Sequence, residues 1–313
     1  MPETGTTIGV AIPTRDRPEF LAETLRSVLS GTRRPDTLCV VDNSQGDPAS
    51  TRAVCEQFSG DVEYLAPVGN LTMQANHNRA LRSFETTFAC ILHDDDRYGA
   101  SFLERGESAL VNDADLALFA VNYRVIDGSG ATIMETCWSD FPTGRLTPRA
   151  YLSHSMPALS PIHLSAAMMR TSHAQRHELA EADGNCTDMG YFFRLASHAD
   201  ILLVNEPLAD VRLHGGMESV AVGLYGFGRG KASELLPRVP LEFATKNRYL
   251  RSPLAAEVLG PLRWTLRRAA AKRAATLLGY EARNSSLAFG QRLRAAKAAA
   301  GLLPVIAGRG ETR

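Results

Sequence analysis

The stretch Ala89-Cys-Ile-Leu-His-Asp-Asp-Asp-Arg-Tyr98 decides how the rest of the chain is interpreted. The apolar residues 88–92 predict a short buried strand, and three aspartates, Asp94, Asp95 and Asp96, follow it. In an open α/β sheet, ligands bind in the crevice beyond the carboxyl ends of the strands. Consecutive carboxylates repel one another unless a cation holds them, and their oxygens suit Mg²⁺ or Mn²⁺. An isolated triplet is also typical of a solvated turn, so the segments around it decide.

The amino-terminal segment points to the same edge of a sheet. Residues 8–12 are a β-rich run, residues 18–29 carry apolar side chains at helical spacing, and residues 38–41 are a second apolar run. Strand, helix and strand of these lengths predict a βαβ unit, whose strands are parallel neighbours. Asp42 and Asn43 follow the second strand, so we expect them at the edge that carries the triplet. A carboxylate and an amide there can contact a nucleobase or ribose, although an ordinary polar turn has the same composition.

Six segments, in order along the chain, resemble the motifs of one known family. They are Val10-Ala-Ile-Pro-Thr-Arg15, Val40-Val-Asp-Asn-Ser44, Asn70-Leu-Thr-Met-Gln-Ala-Asn-His-Asn-Arg-Ala-Leu81, His93-Asp-Asp-Asp96, Thr187-Asp-Met-Gly-Tyr-Phe-Phe-Arg-Leu-Ala196 and Val211-Arg-Leu-His-Gly-Gly216. Together they resemble the family 2 glycosyltransferases with the GT-A fold, over roughly residues 7–220. The resemblance implies an α/β fold with a Rossmann-like, mostly parallel central sheet flanked by helices, followed by a helical C-terminal extension.

The resemblance also implies a reaction: an inverting, metal-dependent transfer of a sugar from a nucleoside-diphosphate sugar to an acceptor hydroxyl. The acceptor is a carbohydrate, a lipid-linked intermediate or a small natural product. Asp188 is expected as the general base, and Asp94, Asp96 and His214 as ligands of Mn²⁺ or Mg²⁺. The residues assigned to the donor are Pro13, Thr14, Arg15, Asp42, Asn70, Asn78, Asp94 and Asp95. A carboxylate at position 42 is compatible with the imide of uracil or thymine, which favours a UDP- or dTDP-sugar.

Two of these assignments have simpler alternatives. An acid such as Asp188 at the start of a helix is also a common cap. His214 stands in a glycine-containing loop, where a lone histidine is usually only a loop residue, although imidazole can bind a divalent ion or donate to a phosphate. Two further histidines, His154 and His163, lie in the proline-rich residues 136–165 and lack the spacing of paired ligands. We expect that segment to be loop-rich and these histidines to lie at the surface or line the acceptor site, rather than bind metal.

Composition narrows the class of protein. The chain has 313 residues with a formal net charge of zero, so nothing global argues for nucleic-acid binding. The five cysteines show no metal-binding spacing, which favours a reducing cytoplasm. No apolar run approaches the length of a membrane span, and the first residues lack the pattern of a signal peptide. Arginine outnumbers lysine, as is typical of a GC-rich, bacterial genome.

Organisation along the chain predicts a catalytic domain and a tail. We expect a catalytic domain over residues 1–225, with a nucleotide-sugar half at about 1–125 and an acceptor half at about 126–225. Residues 226–313 are expected to form a helical extension. Its basic residues are interleaved with apolar ones: Arg263, Arg267, Arg268, Lys272 and Arg273. Such a helix can lie peripherally on an anionic membrane face, pack on the catalytic domain, or join a second subunit in a homo-oligomer.

Two readings from other classes remain open at this point. A nucleotidyltransferase acting on sugar phosphates would also combine an α/β fold with metal-binding aspartates. It would be expected to carry a glycine-rich loop after its first strand, and residues 13–18 contain no glycine. A non-catalytic sugar-binding relative would have little reason to retain both the acidic triplet and Asp188. Metal-dependent release of a nucleoside diphosphate from a nucleotide sugar separates the three.

Overall fold

The computed structural model describes residues 5–158, 160–215, 235–283 and 289–308. Within these residues, one mixed sheet holds ten strands. They are β1 Ile8–Thr14, β2 Thr37–Asp42, β3 Glu63–Leu65, β4 Phe88–Ile91, β5 Arg97–Tyr98, β6 Leu116–Asp127, β7 Thr132–Met134, β8 Gly144–Leu146, β9 Ala167–Arg170 and β10 Asp200–Leu213.

The helices fall between the strands and, in the last third of the chain, after them. They are α1 Pro18–Leu29, α2 Pro48–Glu56, α3 Met73–Arg82, α4 Phe102–Asn112, α5 Pro148–Ser155, α6 Thr171–Ala174, α7 Thr187–Leu195, α8 Leu235–Leu250, α9 Pro253–Leu259, α10 Leu262–Arg283, α11 Phe289–Gly301 and α12 Leu303–Ile306. Two 3₁₀ segments, Leu164–Ala166 and Glu181–Cys186, precede β9 and α7. Alternating strands and helices with a helical carboxyl-terminal part confirm the predicted α/β class.

The amino-terminal half of the sheet is parallel. The order β3-β2-β1-β4 is built from parallel pairs, with β1 between β2 and β4. The predicted βαβ unit is therefore confirmed, with α1 beginning at a proline that suits the first turn of a helix. Because parallel strands end at the same edge, Thr14 and Asp42 pair at the last step of the β1–β2 register. The acidic triplet follows β4 at this edge.

The first strand is longer than its sequence pattern predicts, because it passes through Pro13 and ends at Thr14. A proline in a central strand normally removes a ladder hydrogen bond. Here β1 pairs with β4 only as far as Ala11, opposite Ile91, and beyond that point only β2 remains alongside it. Pro13 therefore lies beyond the end of the pairing with β4, where the lack of an N–H costs β1 no hydrogen bond to that strand.

Antiparallel pairs follow on the other side of β4: β4 with β9, β9 with β6, β6 with β7, and β10 with β5 and β8. Strand β9 joins β4 in the register Cys90↔Met168, and β6 pairs with β9. Residues 127–130, Asp-Gly-Ser-Gly, lie between the strands of a hairpin, since β6 pairs with β7 in the register Val125↔Met134. Since β4 and β9 run in opposite directions, the residues just after β4 and those just before β9 meet at one edge. This places the segment before β9 beside the acidic triplet.

The chain divides into two compact units. The first comprises Met1–Pro148, Pro161–Glu181 and His198–Arg212, and the second comprises Arg149–Ser160, Ala182–Ser197 and Leu213–Arg313. In the second unit, an apolar core is formed by Val239 of α8, Ala274 and Leu278 of α10, and Leu302, which directly precedes α12. Helix α7 packs on α8, where the hydroxyls of Ser197 and Tyr249 lie 2.6 Å apart. Among the helices of the described ranges, none is both long and apolar enough to cross a membrane.

Candidate functional site

The three aspartates of the triplet point to different partners. Thr14, the last residue of β1, donates its hydroxyl to Oδ2 of Asp94 at 2.6 Å. The guanidinium of Arg17 lies 2.8 Å from Oδ1 of Asp94 and 3.1 Å from Oδ2 of Asp95. All three carboxylates are buried, so a cation is required to offset their repulsion. For Asp94 and Asp95, that cation is an arginine of the loop between β1 and α1.

The third carboxylate has a separate set of neighbours. The hydroxyl of Ser165 donates to Oδ2 of Asp96 at 2.5 Å, and the backbone N–H of Arg212 donates to Oδ1 at 2.8 Å. Two imidazoles face the same oxygen: Nδ1 of His93 lies 3.6 Å from Oδ2 of Asp96, and Nδ1 of His163 lies 3.9 Å from it. Asp96 is thus the carboxylate of the triplet that faces histidines rather than a guanidinium.

Burial sets the protonation of this cluster. It raises the pKa of Asp94 to about 7, and burial together with the charge of Asp95 raises the pKa of Asp96 well above its usual range. The effect on histidine has the opposite sign, because the charged form of imidazole is the protonated one. Burial lowers the pKa of His77 to about 4 and that of His93 well below its usual value. Both rings are therefore neutral at neutral pH, with a lone pair on one nitrogen.

These residues fit a divalent cation. One ligand atom each from His93, Asp96 and His163 lies within 4.8 Å of the others, which is close enough for one ion to contact all three. Imidazole nitrogen and carboxylate oxygen are both common metal ligands. Near them, Oδ1 of Asp94 is buried without a hydrogen bond, although the Arg17 guanidinium lies 2.8 Å away. The contact is therefore an ion pair of poor hydrogen-bond geometry.

Two of the donor residues expected from the sequence lie next to each other on the first unit. Arg15, which follows β1, donates to Oδ1 of Asn70 at 3.5 Å. The side chain of Arg15 is 48% exposed, so its charge is available to an anion. Pro13 and Thr14 form the buried end of β1 behind it. The loop after β1 therefore presents a cation beside the acidic triplet.

Asp42 and Asn78 are both engaged within the protein. The carboxylate of Asp42 is fully buried and accepts from the backbone and hydroxyl of Ser44 at 2.8 and 2.6 Å, and from the hydroxyl of Tyr64 at 2.7 Å. The side-chain amide of Asn78 exchanges two hydrogen bonds with the backbone of Leu179, at 3.0 and 2.8 Å. Each bonding pattern gives a structural role, and a role in donor binding stays a prediction for both.

The remaining two site residues belong to the second unit. Asp188 lies in the first turn of α7, is partly exposed, and accepts the N–H of Met189 at 2.8 Å. Helix α7 is held in place by the buried Asp183, which pairs with Arg194 at 2.9 Å and also with Arg248. His214 follows the last residue of β10. The catalytic and metal roles expected for Asp188 and His214 stay predictions.

The family model of glycosyl transferase family 2 matches residues 9–167, just over half of the 313 residues. The matched range includes β1, the acidic triplet and the segment before β9. The chain belongs to glycosyl transferase family 2. It is therefore a glycosyltransferase by family, as the motifs imply.

Solved structures of low sequence identity share the fold of this glycosyltransferase. TarS 1-349 of S. aureus in complex with UDP-GlcNAc has a TM-score of 0.65 at 14% identity, covering 96% of this chain and 82% of that chain. The mannosyltransferase PcManGT of Pyrobaculum calidifontis, in complex with GDP-Man and Mn²⁺, has a TM-score of 0.55 at 16% identity, covering 96% and 88%. No curated protein matches the chain. These likenesses confirm the expected GT-A fold.

Sequence reasoning missed three residues of the cluster. Of the two expectations for His163, the surface position is wrong, because the antiparallel pairing of β4 and β9 buries it beside Asp96, and lining the acceptor site stays a prediction. Ser165 also comes from this segment and contacts Asp96. Arg17 lies two residues beyond the first motif and pairs with aspartates far along the chain. The local signal was His93 directly before the aspartates, because imidazole beside carboxylates is typical of a transition-metal site.

Proposed function

We propose that this family 2 glycosyltransferase moves a sugar from a nucleoside-diphosphate sugar to an acceptor hydroxyl, with inversion at the anomeric carbon and with help from a divalent cation. The observation that carries the proposal is the buried edge where Thr14, Asp94 and Asp96 meet. At the carboxyl ends of β1, β2 and β4, it is the position where α/β sheets bind ligands.

The donor side of the proposal rests on the first unit. The exposed Arg15 and its neighbour Asn70 are suited to a diphosphate, since guanidinium and amide groups donate hydrogen bonds to phosphate oxygens. The preference for UDP or dTDP rests on Asp42, whose carboxylate would have to exchange its bonds to Ser44 and Tyr64 to reach the base. Solved relatives in fold hold UDP-GlcNAc and GDP-Man, so a nucleotide-sugar donor fits the architecture while the base differs among them.

The cation would be held through Asp96. The resemblance to the family adds Asp94 and His214 as expected ligands of the cation. The imidazoles near Asp96 are instead those of His93 and His163. When bound, the ion neutralises the charge that develops on the departing diphosphate. The fixed hydrogen bonds from Ser165 and Arg212 orient the carboxylate for this task.

The chemical step needs one base. The acceptor oxygen forms the new bond to the anomeric carbon from the face opposite the leaving group, while the bond to the diphosphate oxygen breaks and its electrons leave with the nucleotide. The proton of the acceptor hydroxyl passes to the carboxylate of Asp188. Asp188 is partly exposed, and its Oδ1 accepts the backbone N–H of Met189 at 2.8 Å.

The first test is turnover with a panel of nucleotide sugars and a divalent metal, measured as release of nucleoside diphosphate. Release that requires both metal and acceptor supports the proposal. Pyrophosphate release from a nucleoside triphosphate and a sugar phosphate would instead identify a nucleotidyltransferase. Tight donor binding without turnover, with every acceptor class, would identify a binding protein.

The second test replaces Asp188 by Asn. An asparagine oxygen still accepts the N–H of Met189 and caps a helix about as well as aspartate, so the fold and donor affinity should not change. It cannot take a proton, so we expect the rate to fall by about 10²- to 10⁴-fold. Asp183→Asn is the matched control. It breaks the ion pairs with Arg194 and Arg248, so we expect its main effect on the stability of the protein rather than on the rate of transfer. A wild-type rate for Asp188→Asn would leave only the capping role.

We also propose that the last helices contact an anionic membrane surface. The basic helix α10 is packed in the second unit, since Arg267 is buried and donates to Asn247 at 2.7 Å. The exposed apolar side chains are instead on α11 and α12, where Phe289, Leu293 and Leu303 are 78%, 44% and 60% exposed.

Basic side chains stand beside this apolar surface. Arg294 and Lys297 of α11 are exposed, and cations next to apolar groups suit an anionic lipid headgroup layer. Flotation with anionic vesicles should carry the protein upward, with less recovery for Phe289→Glu and for neutral vesicles. Equal recovery with neutral vesicles, or a dimer in solution that Phe289→Glu dissociates, would contradict the membrane contact.

A further inference from the structure

The pairing of two strands brings two imidazoles to one carboxylate. His93 follows β4 by two residues and His163 precedes β9 by four, and these strands are antiparallel neighbours. Their rings lie 5.0 Å apart, edge to face. The nearest ring nitrogens are 3.6 and 3.9 Å from Oδ2 of Asp96. The ligand atoms are therefore gathered before any ion binds.

We infer that His93, Asp96 and His163 together form the metal site of this enzyme, and that it selects a transition-metal ion over Mg²⁺. This inference rests on the proposed function, which places the cation at Asp96. Two imidazoles and one carboxylate suit Zn²⁺, Fe²⁺ or Co²⁺, whereas Mg²⁺ demands oxygen ligands in near-ideal octahedral geometry. A set of three protein ligands also leaves positions for oxygens of a substrate.

The groups around the ligands hold them in place. Ser165 contacts two of these residues. Its hydroxyl oxygen accepts the backbone N–H of His93 at 3.1 Å, and its proton is donated to the carboxylate of Asp96 at 2.5 Å. His163 caps the short helix at Leu164–Ala166, with its Nδ1 accepting the N–H of Ser165 at 3.3 Å. The Ser165 hydroxyl thus orients the carboxylate of Asp96, whereas ligation through Nδ1 of His163 would replace the 3.3 Å contact with the backbone N–H of Ser165.

His77 completes the wall of the site without being a ligand in this arrangement. Its Nδ1 bonds to the carbonyl of Met73 at 2.8 Å, and its ring packs edge to face on His93 at 5.3 Å. The side chain of His93 is 26% exposed, against 8% for His163. An ion would therefore enter along the His93 side.

The alternative, an all-oxygen site, is already occupied by a protein cation. The Arg17 guanidinium lies within 3.1 Å of carboxylate oxygens of both Asp94 and Asp95. A hard ion between those two carboxylates would have to displace it. The oxygen donors that Mg²⁺ prefers are thus neutralised by Arg17 at Asp94 and Asp95.

The test measures metal binding by tag-free, metal-stripped protein without nucleotide. Isothermal titration with Co²⁺, Zn²⁺ and Mg²⁺ should give one Co²⁺ or Zn²⁺ per chain, bound at least ~10²-fold more tightly than Mg²⁺. The visible spectrum of bound Co²⁺ should show nitrogen ligation. His93→Gln and His163→Gln should each weaken Co²⁺ binding by about 10-fold or more, and the exposed His154→Gln should not.

Two results would overturn the inference. One is equal affinity of the wild-type protein for Mg²⁺ and Co²⁺, which needs no variant and so cannot be blamed on misfolding. The other is unchanged Co²⁺ affinity and spectrum in both folded glutamine variants. If Mg²⁺ alone then supports glycosyl transfer, the proposed function is retained and this metal site is rejected. If the protein binds Co²⁺ selectively but transfers no sugar, the metal site is retained and the proposed function is rejected.

Discussion

Replacing Arg17 by Met should destabilise the metal-free protein, because it leaves two buried carboxylates without their cation. Arg17 lies 2.8 Å from Asp94 and 3.1 Å from Asp95, and both aspartates are buried. Removing one partner of a fully buried pair costs about 3–5 kcal/mol. The Arg17 side chain is 28% exposed, so water compensates part of this loss. We expect the free energy of unfolding to fall by about 2–3 kcal/mol at neutral pH and low salt.

Urea denaturation followed by circular dichroism measures this change, as a fall in the midpoint on the order of 1 M. Arg15→Met is the matched control from the same loop. Its guanidinium is 48% exposed and 3.8 Å from a half-exposed Asp16, so its loss should cost less than about 0.5 kcal/mol. Adding Asp95→Asn to Arg17→Met should recover part of the stability, since the buried charge of Asp95 is then gone. Equal midpoints for Arg17→Met and Arg15→Met would refute the reasoning.

Three further substitutions test packing and pairing by the same urea assay. Lys246→Met should cost about 3 kcal/mol, because it removes the nearest cation of the buried Glu242 and leaves Arg273 at 4.0 Å. Adding Glu242→Gln should reduce that cost, and a smaller loss in the single variant would contradict the reasoning. Gly190→Ala should cost about 2 kcal/mol, because its new Cβ would lie 2.2 Å from Oδ2 of the buried Asp183. An unchanged free energy of unfolding would show that this carboxylate moves freely. Asn78→Ala should cost about 2 kcal/mol, because it strands one buried N–H and one C=O, whereas wild-type stability would mean that water replaces both.

Local patterns were sufficient for the first half of the fold. The apolar runs that became β1, β2 and β4 are short, dense and separated by a helix of clear periodicity, so strand, helix and strand followed from the residues themselves. Parallel pairing then followed from connection length alone. The boundary of β1 was wrong by two residues, because a proline there is tolerated only where β4 has already ended. That condition depends on a neighbouring strand, and no local pattern contains it.

The sequence by itself determined the family, the α/β class and the edge of the sheet where the aspartates gather, because each depends on residues adjacent in the chain. Only the tertiary structure decided what surrounds each aspartate. Arg17 pairs with Asp94 and Asp95, which lie more than 70 residues further along the chain. His163 lies beside Asp96, 67 residues away in the sequence, because β4 and β9 are antiparallel neighbours. Side-chain charge and ligand chemistry act over a few ångströms in space. Sequence separation carries no information about such distances until the strands are paired.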